Sequence, residues 1–154
     1  MFPLEDIKFR RTNHFNQGIT NYTTEGRQNH DRLQPNIIRQ IQKMLESCSP
    51  YRNIEYTDNR ISRYSMQNGK CAITGYFLEA EDINCHHITP IALGGSDKFS
   101  NLVIVHSWVH NLLHATTKQT INKYLKLLKL TEKQLEKLNK YREKCNLTKI
   151  YLTN

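Results

Sequence analysis

From Pro35 onward, Ile37, Ile38, Ile41, Met44 and Leu45 recur at the spacing of a helix with one buried face. Pro35 suits a first turn, which predicts a helix running to about Ser47 and stopped by Cys48–Arg52 with its Pro50. Before it, Met1–Asp31 is polar with few periodic apolar positions, a pattern of loops or short helices. Glu55–Gln67 alternates basic and apolar groups; Ile61, Tyr64 and Ser65 line one side of a short helix, and Arg60 and Arg63 point elsewhere, toward DNA if the chain binds it. Gly69 and Gly75 bracket Lys70–Thr74 as a strand or turn. Later, Ile121, Tyr124, Leu125 and Leu128 mark an amphipathic helix. Thr131 with Gln134 three residues on is a capping-box start for another, buried through Leu135, Leu138 and Tyr141. No repeat, low-complexity tract or Gly/Pro-rich linker divides the chain.

With 154 residues, the chain suits one domain or a small domain with helical extensions. Its net charge of +8 fits a polyanionic partner, and the charge is uneven. Residues 115–154 hold ten Lys or Arg against three Glu, whereas residues 1–114 hold twelve basic groups against eleven acidic ones. The basic tail is therefore the better candidate for phosphate contact, with solvated helix faces as the competing explanation.

The densest chemistry lies in residues 86–114: His86-His87, then Asn101, then His110 and His114. Neighbouring residues on a strand face opposite sides, so His86 and His87 serve different tasks, one holding a metal and the other activating water. His110 and His114, four apart, stack on one helical face and can share an ion. Three imidazoles with an open coordination position read as a one-metal nuclease site.

These residues resemble the HNH, or ββα-metal, endonucleases. The resemblance implies an α+β fold, a mainly helical chain around a small ββα-metal (His-Me finger) HNH motif. It places a strand at Asp82–Ile88, a loop at Thr89–Ser100, a second strand at Leu102–Val105 and a helix at Ser107–Ala115. Carried over position by position, it makes His86, His110 and His114 metal ligands, His87 the general base and Asn101 the residue pinning the loop beside it. Pro90 and the Gly94-Gly95 pair fit the same loop. The implied organisation is a DNA-binding extension over 1–68, the nuclease core over 69–116 and a basic helical hairpin over 117–154.

The flanks narrow the resemblance to the C-terminal region of group II intron-encoded reverse transcriptase-maturases. The stretches that carry it are Asn21–Arg27, Ile54–Ser62, Gly69–Gly75 and Leu135–Arg142. A paired-aspartate polymerase motif is missing; Tyr56-Thr57-Asp58-Asn59 lacks the second carboxylate. The resemblance thus implies the DNA-binding and endonuclease end of such an element, with DNA as substrate and intron RNA and a separate reverse transcriptase as partners. It implies one divalent ion, Mg or Mn for turnover, while imidazole ligands also suit tight binding of Zn or Ni. Arg60, Arg63, Lys98 and Lys118 are the candidate DNA contacts. Two other readings stay open: a free-standing homing, phage or restriction HNH nuclease, and a non-catalytic nucleic-acid-binding remnant.

Other residues carry blander expectations. His106 is a structural neighbour rather than a ligand, and His14 and His30 are surface or packing histidines. Tyr76 and Trp108 pack rather than stack on bases. A second, Cys-x-x-Cys zinc site of the kind many HNH proteins hold is broken at Thr74. Cys71, Cys85 and His106 could form a makeshift substitute, but buried reduced thiols explain them better. Scattered cysteines and the lack of a signal peptide or long apolar run point to a soluble intracellular protein, in a bacterial cytoplasm or an organelle, with no membrane partner.

Overall fold

The computed structural model describes residues 35–47 and 53–152. The expectations for Met1–Asp31, His14, His30, Cys48 and the Asn21–Arg27 stretch lie outside the described residues. The fold is α+β. Among the described residues it comprises helices α1 (Pro35–Glu46) and α2 (Ile54–Met66), strands β1 (Ile83–His87) and β2 (Leu102–His106), and helices α3 (Ser107–His114), α4 (Lys118–Leu128) and α5 (Glu132–Lys144). The strands form one antiparallel pair, with His87 opposite Leu102 and His86 opposite Val103.

β2, Leu-Val-Ile-Val-His, is buried over its first four positions rather than alternately, because helices cover it. Leu102, Ile104, Val105, Val109, Leu112, Leu113 and Leu138 form the centre of the core. Among the described residues the outer edge of β2 meets no third strand; side chains and loops close it. Arg63 Nε donates to Leu102 O at 2.6 Å. The Gln67 amide accepts from Ile104 N at 2.9 Å and donates to Ile104 O at 2.9 Å. Ala72 N also donates to Ile104 O, and His106 N to the Cys71 thiol at 3.4 Å. The edge amide of Leu102 is taken by Phe99 O.

α1 buries Ile37, Gln40 and Met44, while Ile38 and Leu45 are exposed. Its inward face is thus narrower than the apolar count suggested, and Gln40 lies inside because its Oε1 accepts from Ala80 N at 2.8 Å. α2 begins at an Asn53 cap and buries Tyr56 and Tyr64, the latter donating to Leu78 O at 2.7 Å. The 70–77 segment is a turn closed by a Lys70–Phe77 bridge. α5 starts at a complete Thr131–Gln134 capping box and buries Leu135, Leu138, Asn139 and Arg142. Asn139 exchanges two hydrogen bonds with the Ile150 backbone, folding residues after the helix back along it. No helix among the described residues is long and apolar enough to cross a membrane.

Candidate metal centre and the adjoining histidine

β1 and α3 build the centre. His86, 2% exposed, projects from β1 toward α3, where His110 and His114 stand one turn apart. One ring nitrogen from each of the three lies within 4.8 Å of the others, the spacing of a group that can hold a metal ion. His86 Nδ1 is 3.3 Å from His114 Nε2, and the His110 and His114 ring centroids are 4.7 Å apart. The other His86 nitrogen, Nε2, lies 3.9 Å from the Cys145 thiol at the end of α5, and the Tyr141 ring is 6.1 Å away.

Burial is the first cause lowering the pKa of all three imidazoles, although His114, at the end of α3, is also exposed to solvent. Burial is the largest effect on His86, which the neighbouring His114, His110 and His87 push down further, to about 3. His110 is lowered by burial and then by His114, and His114 by burial and then by the Arg142 charge. A neutral imidazole offers the lone pair that a metal needs, so the donor set fits a divalent ion without prior proton loss.

The same shifts set an acid limit on the metal-free fold. An unfolded histidine titrates near ~6.5, whereas His86 in the fold stays neutral far below that, so under acid the unfolded chain binds more protons. Stability is therefore fully present above that value and falls as pH drops toward His86's own pKa of about 3. By pH ~5 His86 alone should remove about 2 kcal/mol, a few degrees of melting temperature. Thermal melts of EDTA-treated protein at about pH 7.5 and pH 5 check this.

His87, the last residue of β1, faces away from the triad. Its Nε2 lies 2.9 Å from Asp97 Oδ1, and its ring stacks on Tyr56 of α2 with centroids 5.6 Å apart and planes 21° from parallel. Residues 88–101 form the loop that brings Asp97 there, and Asn101 fixes its path. The Asn101 amide donates to Thr89 O and Ser96 O, each at 2.9 Å, and accepts from Thr89 N at 2.8 Å. Gly95 is required by this closure, since a Cβ there would stand 1.9 Å from Thr89 O.

The basic candidates divide. Lys98 and Lys118 are exposed, the first beside Asp97 and the second in the first turn of α4. Arg60 is half-buried on α2. Arg63 does not point away from the packed face: besides its bond to Leu102 O, its guanidinium lies 4.3 Å from the centroid of the Phe99 ring. Its long stem lets a residue off the apolar stripe reach back to the sheet.

Tyr76 and Trp108 are 72% and 44% exposed, against the expectation that they pack inward; Tyr76 follows the turn at 72–74, and Trp108, at the start of α3, meets the His106 ring edge-on at 5.1 Å. His106 caps α3, its Nδ1 accepting from Trp108 N at 3.0 Å, and stays outside the triad. Cys71 is buried, and among the described residues only His86, His110 and His114 group as possible metal ligands.

The sequence pattern missed Asp97, Tyr56, Cys145 and Arg142. Of these only Arg142 left a trace. It falls four residues after Leu138 on the buried stripe of α5, a place where an arginine needs partners. No protein-family model matches the chain, and no curated protein matches it.

Proposed function

We propose that the protein is a metal-dependent endonuclease of the HNH type, hydrolysing DNA phosphodiester bonds and nicking one strand. The observation that carries the reading is the division of labour on β1. Buried His86 stands with His110 and His114 in a group that could hold a metal ion, while the very next residue is a partly exposed histidine held by a carboxylate. A phosphate served by both would lie across the end of the strand.

In this reading His87 accepts a proton from water as the water oxygen bonds to phosphorus and the bond to the 3′ oxygen breaks. The departing oxygen takes its proton from solvent. His86, His110 and His114 would hold a divalent ion, Mg or Mn for turnover with Zn or Ni as tight binders, which supplies Lewis acidity at the phosphate. Asn101 keeps the loop, and with it the approach to His87, in one geometry. Lys98, Lys118 and Arg60 are the proposed phosphate contacts, with Arg63 supporting them from the sheet edge. The maturase resemblance adds intron RNA and a separate reverse transcriptase as partners, in an intracellular setting.

The test is supercoiled plasmid incubated with the protein in Mg, Mn or EDTA, beside His110→Ala. Relaxed circles are expected with either metal, none in EDTA, and at least a tenfold slower reaction for the variant. Intact plasmid in every metal, from protein that still shifts DNA on a gel, would replace the nuclease with a binding module. Cutting at a defined site without RNA would favour a free-standing nuclease.

A further inference from the structure

We propose that Asp97 is the positioning residue for His87: its carboxylate fixes the imidazole in the tautomer that carries its proton on Nε2, leaving Nδ1 as the nitrogen that accepts a proton. The role given to Nδ1 rests on the nuclease reading; the tautomer does not.

The assignment follows from the donor inventory. An ionised carboxylate only accepts hydrogen bonds, so at 2.9 Å from Asp97 Oδ1 the His87 Nε2 must be the donor. In the neutral ring the remaining nitrogen then has a free lone pair. A base with the opposite tautomer would present an N–H where it needs a lone pair, so holding one tautomer is worth orders of magnitude in rate where it has been measured in other enzymes.

The carboxylate is itself built into place. Asn59 of α2 donates to the Asp97 backbone carbonyl at 2.9 Å, and the Asn53 cap of the same helix donates to Asp97 Oδ2 at 3.4 Å. On the other side Asn101 donates to Ser96 O, the residue just before. Tyr56, between Asn53 and Asn59 on α2, covers one face of the imidazole. One helix therefore supplies the ring's stacking partner and two of the hydrogen bonds that hold the residue orienting it. Both His87 and Asp97 keep about a quarter of their side-chain surface exposed, so the pair is braced without being sealed from substrate.

The test compares wild type with Asp97→Ala and Asp97→Asn, all loaded with Zn for nitrogen NMR of the His87 ring and with Mg for nicking. Wild type should show the proton on Nε2. The alanine variant should show mixed tautomers, with kcat down by about 10- to 100-fold and KM and metal affinity unchanged. Because Asn53 donates to the other oxygen position, an amide at 97 keeps its own oxygen there and turns its NH2 toward His87. Asp97→Asn should thus move the ring proton to Nδ1 and lower kcat at least as far, and it preserves size should the alanine variant fail to fold. A wild-type ring protonated on Nδ1 or on both nitrogens at the assay pH overturns the proposal, as does a folded variant with wild-type kcat. If wild type cuts no DNA, the nuclease reading fails while the NMR result still decides the tautomer.

Discussion

Replacing His87 by alanine should, if the protein nicks DNA as proposed, slow that reaction by about 10²- to 10⁴-fold, the range over which a positioned general base contributes, while metal affinity at the three imidazoles is unchanged. The separation is possible because the two groups face different parts of the fold. His86 turns toward α3 and α5, His87 toward α2 and the loop. Single-turnover cleavage of supercoiled plasmid in Mg, set beside calorimetric titration with Zn, measures both. Partial recovery of the variant's rate by free imidazole would identify the missing group as a proton acceptor. Equal loss of cleavage and metal affinity would make His87 a structural residue, and an unchanged rate would place the base elsewhere.

Replacing Arg142 by methionine should destabilise the fold by about 3–5 kcal/mol, the cost, after relaxation, of taking the shared donor away from several buried carbonyls. The side chain is 1% exposed and acts as a clamp on the C-terminus of α3. Its Nη1 donates to Leu112 O, Leu113 O and Ala115 O at 2.8–2.9 Å, and its Nε to Thr148 O at 2.8 Å. The last carbonyls of a helix have no partners within it and carry partial negative charge, so a guanidinium there supplies both hydrogen bonds and a favourable field. Methionine keeps most of the packed stem but removes this donor from Leu113 O, Ala115 O and Thr148 O, at about 1–3 kcal/mol each before relaxation, while Leu112 O keeps its bond from Ala115 N. Urea denaturation measures the total. Since His114 ends the clamped helix, metal affinity should fall in the same variant, and Arg142→Lys, which cannot fork toward both Thr148 and the helix, should lie between.

What the sequence made legible was whatever obeys a short-range rule. The four-residue spacing of His110 and His114, the alternation that separates His86 from His87, and the Thr131–Gln134 cap all depend on geometry within one element, and each is found in the fold. The pairing of His87 with Asp97 obeys no such rule. It spans ten residues and depends on a loop whose course is set by Gly95 and Asn101, so no spacing rule singles the aspartate out. Arg142 was hidden for a different reason: a basic residue on a charged helix reads as solvated, and its targets lie in α3, about thirty residues earlier. The apolar pattern overstated the buried face of α1, because a glutamine with a backbone partner can replace an isoleucine inside.

The closing of the β2 edge bears on how the chain behaves when it is cut. A strand edge with free N–H and C=O groups is a template on which other copies can add strands and aggregate. Here Arg63, Gln67 and Cys71 occupy the positions a third strand would take, using a guanidinium, an amide and a thiol in place of a peptide backbone. A truncation that begins after Gln67 would keep every histidine of the centre and yet uncover Leu102 O and Ile104 N, so its first failure would be self-association through the sheet rather than loss of the ligands.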